Sequence, residues 1–530
     1  MPPPVVWWLK KDFRLADNPA LLAALDAGER VLPVFLFEPA VLESEETSGF
    51  HVAAWCEALT DLRARLAVHG GGVLAMHGDA IEALAQLRAA TGFTEMHSHE
   101  ETGSSVTYGR DRAVAAWCGA NGVAWHEHRQ TGVFRGLRDR NQRSARWNAF
   151  TGGGPLPTPP PRDLARLGTE AEPLGLEGPL TPERFGHPLT DAQREHRQPV
   201  SETAARETLD DFLWNRGQCY SGGISSPNRA FVCGSRLSVH FAWGTLTGRA
   251  AYRATMDRLR TLQGDPDPEA KRWRKSLTSF KSRLHWRDHF IQRLETEPQM
   301  EFEALNPAYD TLPTPGDAHF EAWFEGRTGW PLVDACMRCA HTTGFLNFRM
   351  RAMVTSAAVH SLRIGWRKLV YPVAGIWADY EPGIHLSQTQ MQAGVVGINQ
   401  LRVYSPHKQL ADHDPEAVFV KTWVPELADL PSEAIHHHHE RPVDGYPTPL
   451  VNWATSSKEM KADYYAIKRT PEAKAHASRV YERHGSRRRA ESRTWKSTTG
   501  RRSRTDGPTK TSPAKKKPAN GTLPLFPDEP

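Results

Sequence analysis

Residues 366–408 read WRKLVYPVAGIWADYEPGIHLSQTQMQAGVVGINQLRVYSPHK, a stretch that mixes aromatic, small and hydrogen-bonding side chains. Small residues let the backbone approach a flat ligand closely, while Asn, Gln, Asp and Arg fix the orientation of its polar edges. The composition is therefore typical of a pocket for a large heteroaromatic cofactor. A glycine-rich surface loop between two helices is the alternative that the residues alone leave open.

Three further segments flank this stretch. They read WWLKKDFRLADNPAL at residues 7–21, TGWPLVDACMR at 328–338 and DHDPEAVFVKTWVPEL at 412–427. Together with residues 366–408, these motifs resemble the photolyase/cryptochrome family and occur in the family's order. The resemblance implies an α/β domain followed by a large all-helical domain that binds FAD and uses blue light.

Composition is that of a soluble globular protein. The 530 residues are 39% hydrophobic and 24% charged, and the chain is long enough for two or three domains. No run approaches the roughly 18 apolar residues of a membrane span, and the N-terminus lacks the pattern of a secretion signal. We expect a cytoplasmic protein that does not contact membranes, and a monomer.

Cysteine and histidine do not predict a metal centre. Six cysteines scattered through a long chain indicate reduced thiols. Cys336 and Cys339 form a CxxC pair inside a helical pattern, and no second pair completes a metal site. His436–His439 is interpreted as a solvated polar run before a turn, with adventitious metal binding as the alternative.

Positive charge is concentrated at the C-terminus. Residues 481–530 contain 13 Lys and Arg against 5 Asp and Glu, a net charge of +8; because the whole chain carries +5, the first 480 residues carry −3. Such a segment cannot bury a core, and it is predicted to be a disordered basic tail. Basic tails attract nucleic acid without reading its sequence. A merely solubilising extension is the alternative.

Strand and helix patterns alternate over residues 1–132, which predicts a doubly wound parallel sheet. Val5–Leu9 and Val31–Phe37 are typical of buried parallel strands. The absence of a GxGxxG fingerprint disfavours a simple dinucleotide dehydrogenase. The resemblance implies an antenna module, which holds a second chromophore of unidentified type or serves only as a structural lid.

Residues 133–205 are rich in proline and glycine and are predicted to be a linker draped over the surface. Helical periodicity dominates afterwards, so residues 206–480 are predicted to form the helical FAD-binding domain.

The segment at residues 220–238, YSGGISSPNRAFVCGSRLS, leads small residues into a helix. The exposed N–H groups of a first helical turn favour phosphate, and Ser235 and Ser238 are candidate caps. An ordinary helix cap is the alternative. By resemblance, five residues bind the FAD diphosphate: Tyr220, Ser235, Arg236, Leu237 and Ser238.

The resemblance implies further FAD contacts in and near residues 366–408. Arg351 and Asp379 match an Arg–Asp bridge beside the flavin, where positive charge favours the anionic reduced form. A plain interhelical salt bridge is the alternative. Trp377 is a further candidate for the cofactor pocket, and His385 is predicted to face the flavin N5 region.

The lesion side is implied by SFKSRLHWRDHF, residues 279–290. Trp286 and Arg287 match a Trp–Arg pair whose tryptophan stacks on the lesion and whose arginine lies near the cofactor. Core packing is the alternative for Trp286. Arg283 stands where pyrimidine-dimer photolyases place a glutamate; it offers electrostatic stabilisation but accepts no hydrogen bond. Asn347 is the polar residue implied at the isoalloxazine edge.

Two other features separate the possible activities. Phe348 and Ala352 stand where six-four photolyases carry histidines, so that reaction is disfavoured. Trp366 matches the middle tryptophan of the family's electron chain, but residues 387–389 contain no aromatic residue to serve as the proximal member. The candidates for electron transfer are Trp366, Trp377 and Tyr380, with Trp330 as a further possibility.

The leading hypothesis is a light-driven repair enzyme, in which reduced FAD donates an electron to a cyclobutane pyrimidine dimer in damaged DNA. A cryptochrome-type photoreceptor is the first alternative, favoured by Arg283 and by the C-terminal extension. A light-independent flavoenzyme is the second. Repair of dimer-containing DNA in light but not in darkness separates the three.

Overall fold

The N-terminal half is built on a five-stranded parallel sheet. The computed structural model describes residues 2–168 and 171–484, and the strands lie in the order β3-β2-β1-β4-β5. Every residue of β1 and β2 is buried, as expected for parallel strands with both faces covered. The strands are β1 Val5–Leu9, β2 Val31–Phe37, β3 Leu74–His77, β4 Glu95–His99 and β5 Ala124–His128.

Helices alternate with these strands, which confirms the predicted doubly wound α/β architecture. Asn18 caps the first helix, because its side chain accepts a hydrogen bond from Leu21 N at 2.9 Å. Gly92 and Gly122 end the last two helices in the left-handed conformation, which glycine adopts at little cost. The helices are α1 Pro19–Ala27, α2 Pro39–Leu42, α3 Gly49–Ala67, α4 Ala80–Thr91 and α5 Ser105–Asn121.

Residues 133–205 lead from the sheet to the helical half. They include α6 Arg143–Gly152, α7 Pro161–Leu164 and α8 Asp191–His196. Leu167 is fully buried and forms an isolated bridge with Val31 at the edge of β2. The segment is thus more than the surface connector that was predicted, since part of it completes the cover of the sheet. Its exact boundaries remain a prediction.

The second half of the described chain is helical, as predicted. Its largest cluster of buried hydrophobic side chains includes many of those in residues 331–374. Two π-helical segments, Phe212–Arg216 and Ala357–Ser361, and several 3₁₀ turns join the α-helices. These are α9 Glu202–Asp211, α10 Tyr220–Gly223, α11 Pro227–Cys233, α12 Ser238–Ala242, α13 Gly248–Thr261, α14 Pro268–Thr296, α15 Phe320–Phe324, α16 Pro331–Thr343, α17 Phe348–Ser356, α18 Trp366–Gly375, α19 Pro382–Ala393, α20 Pro406–His413, α21 Val418–Trp423, α22 Ser432–His436, α23 Trp453–Arg469 and α24 Pro471–His484.

The two halves form one compact unit and are joined by buried hydrogen bonds. His51 Nε2 on α3 donates to the carbonyl of Trp377 at 2.8 Å. Within the helical half, Trp243 Nε1 donates to the carbonyl of Ala378 at the same distance. These bonds fix the backbone that immediately precedes Asp379.

Cysteine pairing differs from the expectation of six reduced thiols. Cys219 and Cys233 form a disulfide, because the turn through α10 and α11 brings two positions that are 14 residues apart into contact. The expectation holds for the other four, which are buried free thiols: Cys56, Cys118, Cys336 and Cys339.

No helix among the described residues is long and apolar enough to cross a membrane. Of the predicted tail, residues 481–484 belong to the end of α24. From residue 485 onward, the predicted tail lies outside the described residues.

Candidate functional site

A cavity of about 330 Å³ opens in the helical half. Helices α14 and α19 form part of its wall and approach closely, since a side chain at Gly383 would come within 2.5 Å of Ile291 Cα. Twelve of the fifteen predicted site residues line the cavity, so residues far apart in sequence meet here. They are Tyr220, Ser235, Arg236, Ser238, Arg283, Arg287, Asn347, Arg351, Trp377, Asp379, Tyr380 and His385.

Three predicted site residues do not line the cavity. Trp286 is half-buried and packs against His289 and Phe290. Around the axis of α14 it lies about 60° from Arg283 and about 100° from Arg287, which both line the cavity. Its predicted stacking on the lesion stays a prediction. Two others, Leu237 and Trp366, are buried in hydrophobic clusters.

The segment predicted to bind the FAD diphosphate, residues 220–238, has a constrained backbone conformation at Arg236. Arg236 has a φ of 59°, which costs free energy for a residue with a side chain and is typical of functional sites. Its guanidinium lies 3.6 Å from the ring centroid of Phe345, and burial lowers its pKa to about 10. Ser235 Oγ accepts from Leu237 N at 3.4 Å, but Leu237, and neither serine, is the N-cap of α12. The predicted serine cap is thus wrong.

Arg351 and Asp379 are paired as predicted. Arg351 Nη2 donates to Asp379 Oδ1 at 2.8 Å, and Arg351 Nε donates to the carbonyl of Leu346 at 2.7 Å. The guanidinium also lies over the ring of Trp377, 4.2 Å from its centroid. Hydrogen bonds and ring stacking together hold a positive charge at a fixed position on the cavity wall.

Several polar atoms in the cavity wall have no partner within the part of the chain that the structure describes. Among the described residues, none bonds to Asn347 Oδ1, to Arg236 Nη1 or to either side-chain amide atom of Gln388, although all of these atoms are buried. A buried polar group without a partner costs about 1–3 kcal/mol. Their arrangement fits a ligand that carries both hydrogen-bond donors and acceptors, as FAD does at its flavin and diphosphate.

His385 is neutral in this wall. Its Nε2 donates to the carbonyl of Val370 at 2.7 Å. Burial lowers its pKa to about 4, outweighing that hydrogen bond. The cavity therefore holds an uncharged imidazole beside the Arg351–Asp379 pair.

The predicted lesion-side arginines have different partners. Arg283 forms a hydrogen bond with the Tyr220 hydroxyl, which opposes the increase in the tyrosine pKa that burial causes. Arg287 donates to Glu381 at 3.1 Å, to Asp288 at 3.0 Å and to the carbonyl of Phe241 at 3.0 Å. Arg287 is thus fixed by acidic partners, whereas Arg283 bonds to the hydroxyl of Tyr220.

Tyr380 connects the cavity to the α/β half. Its hydroxyl donates to Glu46 Oε2 at 2.7 Å, and burial together with this carboxylate raises the pKa of Tyr380 well above its usual range. Its ring centroid lies 5.8 Å from that of His51, which lies 5.2 Å from Trp243, and Trp243 lies 5.5 Å from Trp55. A continuous row of rings thus leaves the cavity.

Sequence reasoning missed several of these residues. Arg216 donates to the carbonyl of Ser235 at 2.8 Å and thereby supports the diphosphate segment from behind. No motif marked Arg216, which also forms an ion pair with Asp211. Gln388 lies within residues 366–408, and the glutamine-rich composition of that stretch was the available signal.

The histidine run at 436–439 forms hydrogen bonds to backbone carbonyls at three of its four positions.

Family profiles match both halves of the chain. The profile "FAD binding domain of DNA photolyase" matches residues 280–466, which contain α17, α19 and part of α14. The profile "DNA photolyase" matches residues 5–145, the parallel-sheet half. Fold and cavity together thus define a flavin-binding protein of the photolyase type.

Similar proteins place the chain more closely. A deoxyribodipyrimidine photo-lyase of Thermus thermophilus is 30% identical over 433 residues, covering 80% of this chain and 92% of the relative. One from Agrobacterium fabrum is 27% identical and covers 88% and 98%. A cryptochrome DASH of Gloeobacter violaceus is 26% identical and covers 87% and 96%. The chain belongs to the photolyase/cryptochrome family.

Two solved structures share the architecture. A bacterial class III photolyase from Agrobacterium tumefaciens matches with a TM-score of 0.75 at 25% identity, covering 89% of this chain and 98% of that one. An archaeal photolyase from Sulfolobus tokodaii, described with two FAD molecules, matches with a TM-score of 0.69 at 25% identity, covering 87% and 100%.

Proposed function

We propose that this chain is a light-driven, FAD-dependent photolyase that splits cyclobutane pyrimidine dimers in DNA. The observation that carries the proposal is the helical-half cavity, where a fixed Arg351–Asp379 pair stands beside buried polar atoms that a ligand would satisfy. FAD, when bound in its reduced form, supplies under blue or near-ultraviolet light the electron that splits the dimer.

The residues of the wall divide the task of holding FAD. Ser235, Arg236 and Ser238, which line the cavity, would hold the diphosphate, because a cation and small side chains suit phosphate oxygens. Four further residues of the wall would contact the flavin ring system: Arg351, Asp379, Asn347 and His385. Because His385 is neutral, Arg351 supplies the positive charge that favours an anionic flavin.

The lesion side is assigned to Arg283, which lines the cavity and bonds to the neutral Tyr220. A cation there stabilises the negative charge that the dimer acquires on accepting an electron. Arg287 orients this part of α14 through Glu381 and Asp288. Trp286, which does not line the cavity, keeps its proposed role of stacking on the dimer.

Electron supply to the cofactor is assigned to Tyr380. With FAD bound, Tyr380 would supply an electron to it, and the hydroxyl proton of Tyr380 would pass to Glu46, which lies 2.7 Å away. A thiol reductant in solution would then return one electron to Tyr380 through Trp55 and Trp243, and Tyr380 would recover its proton from Glu46. Tyr380→Phe is expected to slow light-driven reduction of the bound flavin, measured by absorbance. If Trp366→Phe slows it and Tyr380→Phe does not, the route runs through Trp366.

The test of the main activity uses purified protein with its flavin reduced. Dimer-containing DNA is incubated with the protein in light and in darkness, and the remaining dimers are counted. We expect repair in light alone, with Arg283→Ala slower and the exposed Arg112→Ala unchanged. Binding of the damaged DNA without repair in light would overturn the proposal.

A cryptochrome-type photoreceptor is the second candidate. The similarity to a cryptochrome DASH and the presence of Arg283 instead of a glutamate favour it. It predicts that light changes the shape of the protein, measured by limited proteolysis in light and darkness, while the dimers persist.

The remaining assignments follow from charge and composition. The protein is proposed to be a cytoplasmic monomer that grips damaged DNA, with the basic segment 481–530 adding affinity for the backbone. Deleting residues 485–530 is expected to weaken binding to undamaged DNA and to reduce its salt dependence, while repair continues. Unchanged salt dependence would remove the tail from the DNA contact.

A further inference from the structure

The edge of the parallel sheet carries a cluster of imidazoles that the proposed activity does not use. Glu95 and His97 lie on β4, and His126 and His128 lie on β5. Side chains two residues apart on a strand share a face, and the register pairs His97 with His126. All four side chains therefore lie on one face of the β4–β5 pair.

Three potential ligand atoms converge on this face. Glu95 Oε1 lies 3.1 Å from His97 Nε2 and 3.5 Å from His126 Nε2, and all three atoms lie within 4.8 Å of one another. In a tetrahedral zinc site with bonds of about 2.0–2.1 Å, neighbouring ligand atoms are roughly 3.3 Å apart. The two measured separations bracket this value.

A second feature orients the central imidazole. His97 Nδ1 and His128 Nε2 are 2.9 Å apart and share a hydrogen bond. Metal-bound histidines use their second ring nitrogen in this way, which fixes the ring and its tautomer. Only His97 is buried; the side chains of His126 and Glu95 are 51% and 36% exposed, so an ion reaches the cluster from solvent.

We propose that Glu95, His97 and His126 form a binding site for a divalent transition metal ion of the zinc class, oriented by His128, which joins the edge strand β5 to β4. Two imidazoles and one carboxylate suit Zn²⁺, and the solvent-exposed side leaves a position for water. The ion would reinforce an edge strand that, among the described strands, pairs with β4 alone.

Hydrogen bonding without a metal ion is the competing explanation of this cluster, since a chain of hydrogen bonds from His128 through His97 to Glu95 would give the same distances. Titration of full-length, flavin-containing protein with Zn²⁺, after dialysis against a chelator, distinguishes the two. Isothermal titration calorimetry should show one site, and Co²⁺ in its place should give visible d–d absorption. His126→Ala and Glu95→Gln should each weaken this binding at least about tenfold, and His128→Ala about 10- to 100-fold.

The matched control is His77→Ala, an exposed histidine at the end of β3 in the same sheet, which should bind as the unaltered protein does. A second control, His437→Ala with His439→Ala, removes adventitious binding at the histidine run. Because Glu95 and His126 are partly exposed, their variants should fold, which circular dichroism checks. Zn²⁺ affinity that is unchanged in His126→Ala and Glu95→Gln, or absent in the unaltered protein, would overturn the proposal.

Discussion

Two regions of this molecule contain many polar and charged side chains, and the two regions differ in whether those side chains have partners within the protein. At the carboxyl end of the sheet, the charges pair with one another: Arg110 donates to Glu38 at 2.7 Å and to Glu101 at 2.6 Å, and Lys10 donates to Asp111 at 3.0 Å. The cavity of the helical half instead keeps buried polar atoms without partners among the described residues, such as those of Gln388, Asn347 and Arg236.

The volumes of the pockets in these two regions differ in the same way. The pockets at the carboxyl end of the sheet are each about 50 Å³, against about 330 Å³ in the helical half. Unpaired buried polar groups persist where a ligand completes them, whereas a closed ion-pair network is already satisfied. A second chromophore entering among the paired charges would have to separate them, while FAD would supply the partners that the helical cavity lacks.

The largest expected effect comes from breaking the network in the α/β half. Arg110→Ala leaves the carboxylates of Glu38 and Glu101 buried without their main cation. Removing one partner of a buried ion pair costs about 3–5 kcal/mol. We expect the free energy of unfolding, measured in urea, to fall by this amount. Arg112→Ala, the exposed arginine two residues along α5, should leave it unchanged, and equal losses in both variants would contradict a closed network.

The disulfide gives the next effect and belongs to the helical half. Cys219 and Cys233 enclose the turn that leads to Arg236, and a closed loop of this length stabilises by about 3 kcal/mol. The double variant Cys219→Ser and Cys233→Ser should lose stability of this order. Thiol titration of the denatured, unreduced protein should count four thiols, the number of free cysteines. Six thiols would show that the two sulfurs remain reduced.

The helical cavity is tested by Asp379→Asn, which removes the carboxylate that Arg351 binds. A hydrogen bond between charged groups contributes about 2 kcal/mol, so FAD should bind roughly 30-fold more weakly. Flavin released at equilibrium, measured by fluorescence, gives this ratio. Glu325→Gln breaks the exposed ion pair with Arg327 and should leave FAD affinity unchanged. Equal flavin release from both variants would contradict the assigned role of Asp379.

Much of this arrangement was accessible from sequence, because local patterns report burial well. The strands at Val5–Leu9 and Val31–Phe37 are continuous apolar runs, and the structure gives them the same bounds. The Arg351–Asp379 pair was also predicted, although 28 residues separate the two. That pairing came from the family resemblance, since neither residue has a local signal.

What sequence did not predict depends on the direction of side chains and on long-range contacts. Trp286 and Arg283 lie on the same helix, and only the rotation of α14 against α19 decides which of them lines the cavity. The Cys219–Cys233 bond arises from a turn that cysteine spacing alone does not specify. The row from Tyr380 to Trp55 crosses from one half to the other, so it exists only after the halves have docked.

The last expected effect, no larger than that of Asp379→Asn, concerns protonation of the cavity. His385 has a pKa of about 4 in the folded protein and about 6.5 when exposed, because burial disfavours the imidazolium. The unfolded chain thus binds more protons between these values, and the stability present above pH 6.5 is lost as pH falls towards 4. At pH 5 the loss is about 2 kcal/mol for this residue.

The variant His385→Asn keeps a hydrogen-bond donor for the carbonyl of Val370 but does not titrate. Its urea unfolding at pH 7 and pH 5 should therefore show a smaller drop than the unaltered protein, by about 2 kcal/mol. His51 and His360, whose pKa values burial also lowers to about 4, remain in both proteins, so the difference isolates His385. The exposed His437→Asn should retain the full drop. If His385→Asn loses as much stability as the unaltered protein, the imidazole is not held neutral in the cavity wall, and the charge there is not set by Arg351 alone.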